Sequence, residues 1–180
     1  LQVNYYYFSL LIRLIYYYVI SYYLKLDTLN SNLNKKIGIL ICGHGSRNKL
    51  AITEFQELTK HIQKRYPSLL VEFGFLEFAK PSLTDALDKL RNRSINKVIA
   101  IPAMLFAAGH VKNDIPSLLI NYAQKSGIEI IYGRELGINN LMISAACDRV
   151  KEVFKKNNSL VPEESLLVVV GRGCSDPDAN

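Results

Sequence analysis

The stretch that decides the fold is Ile37-Gly-Ile-Leu-Ile-Cys-Gly-His-Gly-Ser46. Its first six residues are apolar or glycine, which is typical of a strand buried on both faces of a parallel sheet. The glycines at its end predict a tight turn, and Ala51, Phe55 and Leu58 then follow at helical spacing. A buried strand that turns directly into an amphipathic helix is the first half of a β-α unit.

The same pattern continues along the chain to about residue 156. Further strands are predicted over 69–76, 97–102, 128–132 and 166–170. Helices are predicted over 81–90, 115–124 and 138–156, with Pro81 in the first turn of its helix and Gly127 ending the next one. This alternation indicates an α/β fold of three layers, in which helices flank a parallel sheet on both faces.

The amino-terminal residues 1–36 differ in composition from the rest of the chain. Eight of the eleven tyrosines lie between Tyr5 and Tyr23, within an apolar run long enough to span a bilayer. Tyrosine prefers the membrane interface, however, and Arg13 within the run would cost about 2.5 to 3.5 kcal/mol to insert. The run also lacks the basic start and cleavage site of a secretory signal. We therefore treat 1–36 as an atypical leader, either disordered, spurious or a membrane segment, and expect the protein to function without membrane attachment.

The remaining residues divide into one domain and the beginning of another. Residues 37–160 contain the complete β-α pattern, so they form the main domain. Residues 166–175 repeat the strand, the glycine-rich turn and the serine of residues 37–46. An offset of about 130 residues between two such copies predicts that residues 161–180 begin a second domain of the same kind.

Charge and cysteine content exclude several classes of protein. Half of the net charge of +6 lies in residues 1–36, and no basic stripe with interleaved aromatic residues occurs, so we expect no nucleic-acid partner. Cys42, Cys147 and Cys174 are too far apart for a zinc ribbon or a disulfide framework. We expect Cys42 and Cys147 to be small buried apolar residues. A reducing compartment fits best, which is the cytoplasm, or the plastid stroma if the protein is organellar.

Known nucleotide and hydrolase motifs do not fit the glycine-rich turn. A dinucleotide-binding loop would need a third glycine and an acidic residue about 20 residues further on, and both are missing. No Gly-x-Ser-x-Gly sequence and no Gly-Lys-Ser/Thr sequence occurs in the chain. Hydrolase and NTPase mechanisms therefore lack their nucleophile or their lysine.

Three residues with chemically active side chains follow predicted strands. His44 follows the first strand, Glu77 the second, and His110 lies in the loop after the third. Ligands of parallel sheets bind outside the carboxyl ends of the strands, so we expect all three at one rim. Taken singly, either histidine could cap a helix and Glu77 could be a surface residue. His61, between two lysines on a predicted helix, is expected to be solvated.

Two imidazoles and a carboxylate on one rim form a plausible site for Co²⁺, Fe²⁺, Ni²⁺ or Zn²⁺, because borderline divalent ions accept nitrogen and oxygen ligands. Such a site can keep open coordination positions, as a catalytic site requires. Imidazole is also suited to moving protons, since its ordinary pKa of about 6.5 lies near physiological pH.

Several motifs together resemble those of CbiX-type sirohydrochlorin chelatases in order and spacing. They are Gly-His-Gly-Ser-Arg at 43–47, Phe-Leu-Glu-Phe-Ala-Lys-Pro-Ser-Leu at 75–83, Ile-Pro-Ala-Met-Leu-Phe at 101–106 and Ala-Gly-His-Val-Lys-Asn-Asp-Ile-Pro at 108–116. The resemblance implies a chelatase domain over 37–160 and the start of a second chelatase-like domain over 161–180. It also implies that His44, His110 and Glu77 hold the metal and move protons. Arg172 replaces the histidine in the second copy, which leaves catalysis to the first.

The implied reaction is insertion of Co²⁺ or Fe²⁺ into sirohydrochlorin, in cobalamin or siroheme biosynthesis, with release of two pyrrole protons and without ATP. No cofactor beyond the substrate metal ion is implied. Arg47, Lys112 and Ser46 become candidate contacts for the carboxylates of the tetrapyrrole. A second chelatase domain or a second copy of the chain would be the protein partner. Cobalt is slightly favoured over iron or nickel, and a non-catalytic metal-binding or delivery module remains the alternative.

Overall fold

The structure is a computed structural model that describes residues 36–106, 109–138 and 140–170, without the side chains of residues 110 and 141. The predicted leader therefore lies outside the described residues, except for Lys36. The glycine-rich turn of the second copy, residues 171–175, also lies outside the described residues. Among the described helices, none has an apolar stretch long enough to cross a membrane.

The described chain alternates strands with helices, as the sequence predicts. Its strands are β1 (Ile37–Gly43), β2 (Leu70–Phe75), β3 (Lys97–Pro102) and β4 (Glu129–Tyr132). Its α-helices are α1 (Lys49–Arg65), α2 (Leu83–Asn92), α3 (Ile115–Ser126) and α4 (Asn140–Lys156). A single turn of π-helix, His110–Asp114, runs directly into α3, and a short 3₁₀ turn, Pro162–Glu164, follows α4.

The strands form one parallel sheet in the order β2-β1-β3-β4. β1 therefore lies in the interior of the sheet, with Gly43 opposite Phe75 of β2 and Cys42 opposite Pro102 of β3. A strand with a neighbour on each side and helices above and below must be apolar throughout, which explains the unbroken apolar run of β1.

Alternate residues of the central strands face two separate cores. Leu40 and Cys42 of β1 pack with α2 and α3, whereas Ile39 and Ile41 pack with α1. All four are fully buried. Side chains of a strand point alternately to opposite faces, so the two cores confirm the predicted layer of helices on each face of the sheet.

The second helix begins later than the sequence predicts. Pro81 precedes α2 instead of occupying its first turn, and its peptide bond with Lys80 is cis. The helix is capped by Ser82, whose hydroxyl accepts from the amide of Asp85, while the Asp85 carboxylate accepts from the amide of Ser82. This capping box satisfies two amides at the helix start, which favours a helix beginning at Leu83 over one beginning at Pro81.

Two further predictions are wrong in the described residues. Residues 166–170 form no strand, and their side chains are exposed, because a strand needs a neighbour to accept its hydrogen bonds and none pairs with this segment in the described part of the chain. Cys147 is exposed on α4 instead of buried, whereas Cys42 is buried as predicted. Helical periodicity alone did not show which face of α4 would be covered.

Candidate metal and proton-transfer site

The site begins where β1 and β2 end. The hydrogen bonding between these strands continues beyond the end of β2: the amide of Leu76 donates to the carbonyl of Gly43, and the amide of Glu77 donates to the carbonyl of His44 at 3.0 Å. The backbones of His44 and Glu77 are therefore held side by side at the carboxyl edge of the sheet.

The side chains of these two residues are in contact. His44 Nε2 lies 3.2 Å from Glu77 Oε1, and both side chains are partly exposed, at 40% and 38%. On the other side of the ring, His44 Nδ1 lies 3.3 Å from the carbonyl oxygen of Gly45. A carbonyl oxygen only accepts, so this second contact is a hydrogen bond when Nδ1 carries the hydrogen. In that tautomer Nε2 has a lone pair facing Glu77, and the contact is attractive when one proton lies between the two atoms.

Gly45 lets the two backbones approach each other. Its φ of +101° is a conformation that L side chains rarely adopt, and a Cβ atom there would collide with the carbonyl group of Glu77. Glycine is therefore required at position 45, because the loop that follows β2 approaches the backbone closely there. This close approach places Glu77 beside His44.

Arg47 and Ser46 take different positions next to this pair. The guanidinium carbon of Arg47 lies 5.0 Å from the ring centroid of Phe78, within the range of a cation–π interaction. The hydroxyl of Ser46 accepts from the amide of Asn48, the N-cap of α1. Ser46 therefore has a structural role in the turn, and its contact with substrate stays a prediction.

The third predicted residue, His110, is the first residue of the π-helix that precedes α3. Its side chain lies outside the described residues, so its predicted approach to His44 and Glu77 stays a prediction. Lys112 of the same turn is exposed. Within the described residues, no three His, Cys, Asp or Glu side chains come close enough together to hold a metal ion.

A tyrosine on β4 forms a hydrogen bond with the turn that contains His110. The hydroxyl of Tyr132 donates to the carbonyl of Val111 at 3.1 Å. A π-helical bond to that carbonyl would have to come from residue 116, which is a proline without an amide hydrogen, so the hydroxyl provides a donor from outside the helix. Burial raises the pKa of Tyr132, with smaller contributions from Cys42 and Glu135. The hydroxyl thus keeps its hydrogen at pH values above the ordinary pKa of tyrosine.

Phe78 and Tyr132 were not singled out by sequence reasoning. Phe78 belongs to the 75–83 motif, and an aromatic residue directly after a candidate catalytic glutamate was a usable signal. Tyr132 carried no such signal, because its partner carbonyl is 21 residues away in the chain.

Comparison with known proteins agrees with this architecture. The CbiX family matches residues 38–153. A sirohydrochlorin cobaltochelatase from Priestia megaterium is 35% identical over 144 residues, which are 79% of this chain and 46% of that protein. One from Saccharolobus islandicus is 40% identical over 133 residues, covering 67% of this chain and 98% of its own length. The structure of SirB from Bacillus subtilis with Fe³⁺ is 29% identical with a TM-score of 0.72, covering 80% of this chain and 56% of SirB.

The chain belongs to the CbiX family. The motifs quoted from the sequence, the parallel α/β sheet and the match over most of the described domain all support this assignment. The chain spans about half the length of the first two curated relatives, the Priestia protein at 46% and a Bacillus subtilis sirohydrochlorin ferrochelatase at 53%.

Proposed function

We propose that this protein is a sirohydrochlorin chelatase that inserts Co²⁺ or Fe²⁺ into the tetrapyrrole. The observation that carries the proposal is the contact between His44 Nε2 and Glu77 Oε1 at the carboxyl edge of the sheet. The names of the similar proteins, cobaltochelatases and a ferrochelatase, support the same chemistry and both metals.

The geometry of the pair suits a metal ion as well as a proton. With bonds of about 2.1 Å to nitrogen and oxygen, two donors 3.2 Å apart subtend an angle of about 100° at the ion. This angle lies between those of adjacent ligands in octahedral and tetrahedral coordination. An incoming divalent ion can therefore bind between the two side chains without any large movement of either.

This exchange provides a simple account of metallation. The ion binds between His44 and Glu77, releases to solvent any proton held there, and keeps other coordination positions open. When the ion passes to the pyrrole nitrogens, the emptied pair accepts one of the two pyrrole protons. We assign the second proton to His110, whose turn follows β3 at the same edge of the sheet. Charge balances because one divalent ion replaces two protons on the macrocycle.

The cationic side chains near the pair fit a substrate rich in carboxylates. Arg47 lies two residues beyond Gly45, and Lys112 lies two residues beyond His110. Both are candidates for charge-assisted hydrogen bonds with sirohydrochlorin. The same nitrogen and oxygen ligands serve cobalt and iron, so the choice of metal depends on supply and on ligands beyond this pair.

An anaerobic absorbance assay tests the proposal, with sirohydrochlorin and Co²⁺, Fe²⁺ or Ni²⁺ in turn. We expect acceleration over the spontaneous reaction with Co²⁺ and Fe²⁺. His44→Ala, Glu77→Gln and His110→Ala should each lower the rate by about 10²- to 10⁴-fold, as expected for loss of a general base. His61→Ala is the control, because His61 lies on α1 outside the site, and its rate should match the wild type.

Two outcomes would contradict the proposal. If the protein binds Co²⁺ but does not accelerate metallation, it is a metal-binding or delivery module of the same fold. If His44→Ala and His110→Ala both metallate at the wild-type rate, the activity does not depend on this site.

We also propose that residues 161–180 begin a second chelatase-like domain. The likeness between residues 166–175 and 37–46 supports this, as do the exposed aliphatic side chains of residues 166–170, of which Leu166 is 88% exposed. A neighbouring sheet, from a second domain or a second copy, would cover them. If a second copy covers them, the wild-type chain should self-associate in sedimentation, and the variant with Leu166→Asp and Val169→Asp should not.

A further inference from the structure

An exposed phenylalanine lies beside the His44–Glu77 pair. Phe78 is 53% exposed. Its ring centroid lies 5.9 Å from that of His44, and the Arg47 guanidinium lies over the ring at 5.0 Å. An apolar ring, a cation and the proton-transfer pair therefore share one surface.

The backbone of Phe78 is unfavourable for the residue that it carries. Its φ of +60° lies in the left-handed region, which costs a residue other than glycine about 1 to 2 kcal/mol. Asparagine or glycine would occupy the position with less strain. Burial does not compensate for this cost, because Phe78 is more than half exposed. Strained residues of this kind occur preferentially at functional sites.

The surrounding loop holds this conformation in place. The amide of Ala79 donates to the carbonyl of Glu77 at 2.8 Å, and the amide of Glu77 donates to the carbonyl of His44 at 3.0 Å. The turn therefore fixes the backbone of Phe78 relative to the backbones of Glu77 and His44. The contact with Phe78 in turn restricts the long side chain of Arg47, which lowers the entropy that Arg47 would lose on binding a ligand.

We infer that Phe78 and Arg47 form a binding platform for the tetrapyrrole. The ring of Phe78 packs against the macrocycle, and the guanidinium of Arg47 binds one of its carboxylates. A flat ligand with an apolar ring system and an acidic rim needs these two chemistries next to each other. The inference rests on the proposed function and adds to it the residue that positions the macrocycle over the His44–Glu77 pair.

Phe78→Asn tests this inference. A binding platform predicts a higher KM for sirohydrochlorin without a loss of stability, whereas a structural role predicts a lower melting temperature with an unchanged KM. Loss of the platform should raise the KM for sirohydrochlorin by about 3- to 10-fold, the range of one aromatic contact. The KM for Co²⁺ should stay unchanged, and the melting temperature should stay the same or rise, since asparagine tolerates the left-handed conformation. Phe78→Tyr keeps the ring and should restore the wild-type KM. Ile120→Ala removes an exposed apolar side chain from α3, 56% exposed, and should change neither constant.

Direct binding separates this inference from the proposed function. Quenching of sirohydrochlorin fluorescence, measured without metal, should show weaker binding by Phe78→Asn than by the wild type. Equal affinities for the two proteins would overturn the platform, whether or not the wild type metallates. A lower melting temperature with an unchanged KM would also overturn it and make Phe78 a structural residue. Absence of metallation by the wild type, with the difference in affinity intact, would instead refute only the proposed function.

Discussion

Gly45→Ala should destabilise the protein and separate the two residues of the site. The φ of +101° at Gly45 is poor for alanine, and the new Cβ would collide with the carbonyl oxygen of Glu77 and lie 2.9 Å from its carbonyl carbon. Both are backbone atoms, so no side-chain rotation relieves the collision. Backbone strain and overpacking each cost about 1 to 3 kcal/mol, which places the loss of unfolding free energy at about 2 to 6 kcal/mol.

Gly127→Ala is the matched control. Gly127 also has a positive φ, +73°, at the end of α3, but no atom lies within 4 Å of a Cβ added there. Only the conformational cost of about 1 to 2 kcal/mol is then expected. Each kcal/mol lowers the melting temperature of a domain of this size by about 3 to 6 °C, so the two variants should differ clearly.

The rate of metallation should also be lower in Gly45→Ala than in Gly127→Ala. Moving the Glu77 carbonyl disturbs the hydrogen bonds that align the Glu77 loop with His44. A displacement of about 1 Å at a reacting group can cost 10²-fold in rate. Urea denaturation followed by circular dichroism measures stability, and the absorbance assay measures metallation well below both melting temperatures. Equal stability losses in Gly45→Ala and Gly127→Ala, or full metallation by Gly45→Ala, would refute the reasoning.

Two further predictions concern Tyr132 and Asp85. Tyr132→Phe removes the hydrogen bond to the Val111 carbonyl, so the free energy of unfolding should fall by about 1 kcal/mol. The rate of metallation should also fall, because the turn containing His110 loses its hydrogen bond to β4. An unchanged urea midpoint would contradict this prediction. The pKa of Asp85 is lowered by hydrogen bonds from the backbone and side chain of Ser82 and from Lys80. A lowered folded-state pKa means that the carboxylate stabilises the fold above the ordinary aspartate pKa and loses this effect as pH falls through the lowered value. Asp85→Asn should therefore be less stable than the wild type at neutral pH, and the difference in urea midpoint should shrink as the pH falls through the lowered pKa of Asp85.

Apolar periodicity was sufficient to place the four strands and the four α-helices along the chain, with boundaries within about two residues of those observed. β3 begins and ends at the predicted residues, and α3 ends at Gly127 as predicted. These features are local, because a buried parallel strand must be apolar throughout and a helix end needs a residue that accepts a left-handed backbone. Local signals failed for residues 166–170, since an apolar run becomes a strand only when another strand pairs with it.

The sequence by itself also determined which residue types follow the strands, and therefore that His44 and Glu77 would stand at one edge. Only the tertiary structure decided that their side chains touch, because this depends on the close approach of the β2 loop to Gly45. The exposed ring of Phe78 and the hydroxyl of Tyr132 were likewise decided by tertiary contacts. Their partners, Arg47 and Val111, are distant in the chain and are brought together by the packing of the loops around a sheet that the apolar pattern had already indicated.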